Sequence, residues 1–414
     1  MSPWLTNNKM IRQQTLLQNA IFRFIFVFIT AFLLTFPFPY ALLPDTGNFC
    51  RPVTETLSAW TAEHLFHAEF PEGKIVSDST AAYVHVFNLA VIALILSVVW
   101  MFFAGRKEHP KLREVFFAGI RYYLAMQLLF YGFDKIFKLQ FYRPEPNLLY
   151  TPLGQLHRMS LYWSAMGSSY SYTVFSGALE VFAGMLLLFR RTTLFGAIVS
   201  AGVMLNVVMI NFGFDISVKL YSMFLLLLCL VLLAPQAKRL FAFFFAGKTT
   251  AAVVDAPFYR EGKWKRFYPI AKTALIVFIF ADALSLFIRI GNYNDDTFPR
   301  PPMHGAYETQ LFIFNGDTLS ANNEHYWKRF FVHRMSYFIT QDANDQFTDH
   351  DVIIDTTRRR LILDLSSDLE YVKRNDSSYI FRGKLGNDHL EIHSKKIRLE
   401  ELPLLQEEFR WTVE

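Results

Sequence analysis

The chain has 414 residues, 52% of them hydrophobic and 19% charged, which excludes a disordered chain because so apolar a sequence can bury a core. Its two cysteines, Cys50 and Cys229, exclude a disulfide scaffold. The net charge of +5 hides a division: residues 1–290 hold 26 Lys and Arg against 15 Asp and Glu, whereas residues 291–414 hold 15 against 21.

A membrane-spanning helix needs roughly 20 mostly apolar residues. Seven stretches qualify, at about 21–43, 82–104, 115–137, 173–189, 192–212, 216–234 and 270–290. The fourth is short, and the third and sixth carry charges at their outer ends. The first is too long for a cleavable signal segment and reads as an uncleaved anchor. With the N-terminus inside, the inner segments hold 16 Lys and Arg and the outer loops five, the bias expected of cytoplasmic loops. Seven crossings then put the acidic C-terminal region outside the cytoplasm of a bacterial inner (plasma) membrane. One crossing more or fewer would reverse that.

The first outer loop, 44–81, contains a predicted helix with Glu63, His64 and His67 on one face, and His85 begins the next span. Imidazoles can ligate metal or haem; the plainer alternative is interfacial histidine among Trp and Tyr. No H-E-x-x-H, C-x-x-C or C-x-x-C-H is present, so no metal or covalent haem motif is found. The second outer loop, 138–172, is rich in Tyr, Trp, Ser and Pro. It reads as an interfacial cap, a re-entrant segment or a lid. The basic, aromatic stretch YREGKWKRFYPIAK suits an anionic leaflet; its basic face is too small to imply nucleic acid.

The spans carry charges that a bilayer makes costly, and such residues usually pair or serve function. Asp134 and Lys135 end the third span. Glu180 lies about 10 Å below the outer end of the fourth, at 1.5 Å of rise per residue. Asn206 and Asn211 follow on the fifth, and Asp215 and Lys219 begin the sixth four residues apart. Arg121, Asp282 and Arg289 are secondary members of this polar layer. The expected pairs are Lys135 with Glu180 and Asp134 with Lys219. Three roles stay open: fixing helix register, holding a quinone or lipid headgroup, or carrying protons. Gly177, Gly184, Gly196 and Ser200 would let helices approach closely.

Residues 115–240 resemble the DoxX-like membrane family. The resemblance lies in Gly132 and Lys135 of YGFDKIFKL and in Gly177, Glu180 and Gly184 of GALEVFAGMLLLFRR. The stretch NFGFDISVKLYSMFLLLLCLVLLAP is similar to large, uncharacterised bacterial members with a C-terminal tail. The resemblance implies a four-helix membrane core in which Lys135 and Glu180 matter. Some members are subunits of quinone-linked thiosulfate oxidation, and others accompany thiol-redox enzymes. The expected organisation is two spans with an outer loop (1–114), the DoxX-like core (115–240), a basic linker and last span (241–299), and an extracytoplasmic domain (300–414).

That last region alternates in short apolar runs, with Asn315-Gly316 and Gly386-Asn387 as hairpin signals. Seven or eight strands predict a small antiparallel barrel or sandwich, either filled by side chains or holding one small ligand. Gly305-Ala306-Tyr307 is similar to a lipocalin-type opening, and Arg410-Trp411 falls on the last run. The acidic loop 342–351 lacks the spacing of a calcium-binding EF-hand. The expectation for the whole chain is an accessory component of a quinone- or thiol-linked membrane redox system, its polar site in the outer half of the bundle. Its partners would be the lipid bilayer and a membrane or periplasmic redox protein. The alternatives are an envelope scaffold whose β domain binds a partner or apolar ligand, and a transporter.

Overall fold

The computed structural model describes residues 3–36, 42, 46–68, 75–105, 107–249, 264–406 and 411–412. Eleven helices are described: α1 (Pro3–Thr35), α2 (Thr46–Thr61), α3 (Thr80–Ala104), α4 (Pro110–Ile136), α5 (Pro146–Leu149), α6 (Arg158–Ser168), α7 (Tyr170–Leu188), α8 (Thr193–Gly213), α9 (Lys219–Leu233), α10 (Ala237–Phe244) and α11 (Trp264–Ile290). Nine strands follow: β1 (Gly305–Phe314), β2 (Asp317–Thr318), β3 (Arg329–Val332), β4 (Tyr337–Gln341), β5 (Phe347–Asp355), β6 (Arg360–Leu363), β7 (Ser367–Lys373), β8 (Ser378–Leu385) and β9 (Asp388–Lys396). The chain forms two compact units, a helical one of residues 1–133 and 178–291 and a second of residues 134–177 and 292–414. It is a membrane protein with a separate β domain.

Among the described residues six stretches are long and apolar enough to cross a membrane: Leu16–Thr35, Thr80–Ala104, Tyr170–Leu188, Thr193–Gly213, Lys219–Phe244 and Arg266–Thr297. The third expected span is α4, 27 residues long and about 40 Å at 1.5 Å per residue. It is more polar because it occupies the middle of the bundle. Ile120, Leu124, Ala125, Leu128 and Leu129 are fully buried in one core with Ile29 of α1, Leu187 of α7, Leu228 of α9 and Ala283 of α11. A helix shielded from lipid needs no apolar belt on every side. Its direction is fixed by polar contacts. Glu114 Oε1 lies 3.1 Å from Arg190 Nη1 at the α7–α8 turn, and Arg121 donates to Thr193 Oγ1 at 3.2 Å.

Small residues set the spacing here. A Cβ on Gly184 would lie 3.1 Å from the Ala125 carbonyl oxygen, and one on Gly196 would lie 2.9 Å from Leu186 Cβ. Both therefore act as close-approach points between helices.

In the second unit, β1 and β3–β9 close an eight-stranded antiparallel barrel, and β2 is a short hairpin return beside β1. This resolves the choice between barrel and sandwich. Both hairpin signals form turns. Asn315 and Gly316 have φ of 52° and 94° between β1 and β2, and Gly386 has φ 62° between β8 and β9. Positive φ at both central positions is the type I′ pattern whose twist matches a hairpin. A bulge at Thr309–Leu311 shifts the register of β1 against β9. It changes the parity of the strand, so Tyr307 and Phe312 both point into the barrel. The interior is filled: Tyr307 stacks on Phe330 at 5.0 Å between centroids, and Phe381 stands edge-on to Phe330 at 5.1 Å.

The run 327–340 divides into β3 and β4 around the turn His333–Ser336, and β7 was not foreseen. Phe409 and Arg410 of the expected last strand lie outside the described residues, and Trp411 and Thr412 are not in a strand. Lys74, Arg106 and residues 259–263 also lie outside them.

The segment 138–172, expected as the second outer loop, belongs to this barrel unit. Tyr150 packs on Phe331 at 5.9 Å between centroids, in a small apolar cluster with Ala306 and Ile339 on the outer face. Gln341 Nε2 donates to the Tyr150 carbonyl at 3.2 Å.

Candidate functional site

The ten residues of the expected polar layer differ in burial. Lys135, Glu180, Asn211, Arg121 and Asp282 are buried; Asn206, Asp215 and Arg289 are exposed. Asn206 and Asn211 are five residues apart on α8, which turns them about 140° from each other at 3.6 residues per turn. Asp134 and Lys135 belong to the barrel unit and the other eight to the helical unit. Lys135 Nζ lies 5.8 Å from the centre of the Phe141 ring. Lys219 donates to Asp215 Oδ1 at 2.7 Å, as its spacing predicts, although residue 215 precedes the helix. Lys219 Nζ also lies 3.8 Å from Asp78 Oδ2. Asp282 Oδ1 accepts from the Leu42 amide at 2.8 Å.

The helical unit buries further polar groups. His85 Nε2 and Thr35 Oγ1 share a hydrogen bond of 2.9 Å, and Thr61 donates to Asn88 Oδ1 at 3.0 Å. His85 and Asn88, three residues apart in an apolar span, were the available signal for this pairing. Arg23, fully buried, donates to the Gly105 and Lys107 carbonyls at 3.0 and 3.2 Å.

The densest charge cluster is in the barrel unit and centres on Glu145, whose side chain is 2% exposed. Glu145 opens the short helix α5. Its Oε1 accepts a short hydrogen bond from Arg334 Nε. Its Oε2 lies 3.1 Å from His304 Nε2 and 3.6 Å from His333 Nε2. Arg334 reaches on to Asp295 Oδ2 at 2.8 Å, where Arg300 also donates at 2.9 Å. Lys138, fully buried, donates to the Gly167 carbonyl at 2.8 Å and lies 3.4 Å from Asp296 Oδ2. Burial pushes the Glu145 carboxyl up, but the His304 hydrogen bond and the charges of Arg334, His333 and His304 outweigh it and hold it at about 2. Burial lowers His333, and the charges of Arg334 and His304 add to that against the pull of Glu145. Among the described residues no three His, Cys, Asp or Glu side chains are grouped to hold a metal ion. None of these residues was singled out in the sequence as a site, because their convergence depends on strands more than 150 residues away.

Beside this cluster is an open cleft of about 280 Å³. Its walls include Arg143, Arg334, His304, Lys396 and Arg398, together with the carboxylates Glu145, Asp296, Asp376 and Glu400. Three of those carboxylates already have cationic partners: Glu145 with Arg334, Asp296 with Lys138, and Asp376 with Lys373.

No family model matches the chain, and no solved structure matches it. The uncharacterised protein YwoB of Bacillus subtilis (strain 168) is 31% identical over 140 residues, which are 34% of this chain and 89% of that protein. At that identity and coverage, the chain belongs to the family of YwoB.

Proposed function

We propose that the chain is a membrane-anchored binding protein, a seven-helix bundle that displays a β-barrel recognition module outside the cytoplasm of a plasma membrane. The observation that carries this reading is the Glu145 cluster. It fastens residues 134–177 to the outer face of a closed, filled barrel and leaves a charged cleft open beside it. A filled interior favours recognition on the outer surface over a ligand inside the barrel.

In this reading the seventh crossing is α4. Asp78, just before α3, holds the first turn of α9, so both helices start at the same side. That supports an odd number of crossings between the end of α3 and the start of α9, and α4, α7 and α8 supply three. The Glu114–Arg190 pair supports the same. With the excess of Lys and Arg in the inner loops, seven crossings favour an outer barrel. A single cysteine introduced at Ser320, in a chain whose Cys50 and Cys229 are replaced by serine, tests this. It is expected to react with an impermeant maleimide in intact cells. Labelling only after lysis would refute the outer placement.

A second reading, an accessory of a quinone- or thiol-linked redox system, draws support from the buried Glu180, Asn211 and Asp282 and from the DoxX-like motifs. Quinone in organic extracts of the purified full-length protein, lost on Glu180→Gln, would favour it over the binding module.

A further inference from the structure

Among the described residues lining the cleft, one cation is left over by the internal charge network. Lys396 ends β9, opposite Tyr307 of β1, and its Nζ lies 5.7 Å from the centre of the Tyr307 ring. Among the described residues no carboxylate pairs with it; the exposed Glu400 acts on it only at longer range. The path of the side chain is built into the backbone. A Cβ on Gly305 would lie 2.8 Å from Lys396 Cε, and Gly305 has φ 144°, a conformation that residues with a side chain rarely adopt. Glycine at 305 thus keeps the channel through which the ammonium reaches the cleft. Arg398 stands at the rim, and its bond of 2.9 Å to Glu401 joins two exposed side chains. Such a pair is weak and free to exchange partners.

A half-buried ammonium without a counterion keeps only the face of the Tyr307 ring in place of the hydration it has lost, and burial accordingly lowers the Lys396 amine. An incoming anion supplies what is missing. The cleft is slightly below the size range of roughly 300–1,000 Å³ for drug-sized ligands, so it suits one small charged group and not an acyl chain. We propose that this cleft binds an oxyanion, such as the phosphate of a small ligand or of a lipid headgroup, with Lys396 as its principal contact and Arg398 at the rim. The proposal rests on the binding-module reading and names the ligand chemistry of that module.

Full-length protein in phosphatidylcholine nanodiscs is titrated with inorganic phosphate by calorimetry, and the titration is repeated in discs containing phosphatidylglycerol. The wild type is expected to bind phosphate, Lys396→Met to bind about tenfold more weakly or worse, as for loss of a charge-assisted hydrogen bond, and Lys396→Arg to recover most of the affinity. Weaker apparent phosphate binding in the phosphatidylglycerol discs identifies a headgroup as the source; unchanged binding identifies a free anion. Should Lys396→Met fail to fold, Arg398→Ala, on an exposed side chain, carries the test, with weaker binding at unchanged melting temperature. Equal phosphate affinity in the wild type and the folded variants, or no binding of phosphate and no difference between the two discs, overturns the proposal. The module reading fails on a separate result, namely that wild-type protein purified from cells releases no bound molecule on extraction and cross-links to no envelope component.

Discussion

The carboxylate of Asp78 closes the start of a helix 141 residues away: Oδ2 accepts from the Lys219 amide at 2.8 Å and Oδ1 from the Leu220 amide at 3.0 Å. These are amides that a helix leaves without internal partners in its first turn. Asp78→Ala is expected to cost about 1 kcal/mol of stability, the usual scale for a lost N-terminal cap. A lower melting temperature of the detergent-solubilised protein checks it. Asp78→Asn, which keeps an acceptor, should lose less.

Acid should loosen the barrel unit at Glu145. Its carboxyl is depressed to about 2 from an ordinary 4.5. A depressed acid contributes stability that is present above its unfolded value and is lost as the pH falls through its folded one. The loss therefore runs from about pH 4.5 down towards 2 and amounts to something on the order of 3 kcal/mol. His333, held below its usual 6.5, starts the decline earlier, because the unfolded chain takes up a proton first as the pH drops below 6.5. Hydrogen exchange of residues 142–150 across this range should show rising opening on acidification. Glu145→Gln should open the same residues at neutral pH and flatten the step below pH 4.5.

Phe330 is fully buried between Tyr307, Phe338 and Phe381. Phe330→Ala leaves a cavity in a packed aromatic interior, at a cost of about 3–5 kcal/mol. Loss of the near-ultraviolet circular dichroism of the barrel aromatics is the expected signature. Tyr337→Ala, at an exposed position on the adjacent strand, should leave most of that signal intact.

In the bundle, Gly184→Val should drive a branched side chain against the Ala125 carbonyl and Leu129, both 3.1 Å from the Cβ position. Overpacking of this kind costs about 1–3 kcal/mol. Reduced yield of monodisperse protein in size-exclusion chromatography tests it, and Gly202→Val, with open space around its Cβ, is the control.

What could be read from the sequence was local in origin. Apolar length revealed the spans, and the positive-φ preference of Asn315, Gly316 and Gly386 revealed two hairpins before any partner strand was known. The Asp215–Lys219 pair followed from spacing alone. What could not be read depends on long-range closure. Asp78, from the loop before α3, caps the helix that Lys219 begins, 141 residues further along the chain. The strand β7, with Asp368 and Glu370 on its outer side, has too few apolar residues to stand out until the barrel pairs it on both edges. Glu145 sits in a Pro-rich loop that looks interfacial, and only barrel closure brings Arg334 and His304 to it.

Because the barrel unit takes residues 134–177 from one end of the bundle segment and 292–414 from the other, it cannot be completed in the order in which it is synthesised. Lys138 and Glu145 emerge from the ribosome long before Asp296 and Arg334, which neutralise them. A nascent chain therefore holds two charges in waiting while helices α6 to α11 are made. Any truncation before Arg334 would leave Glu145 without that neutralising partner.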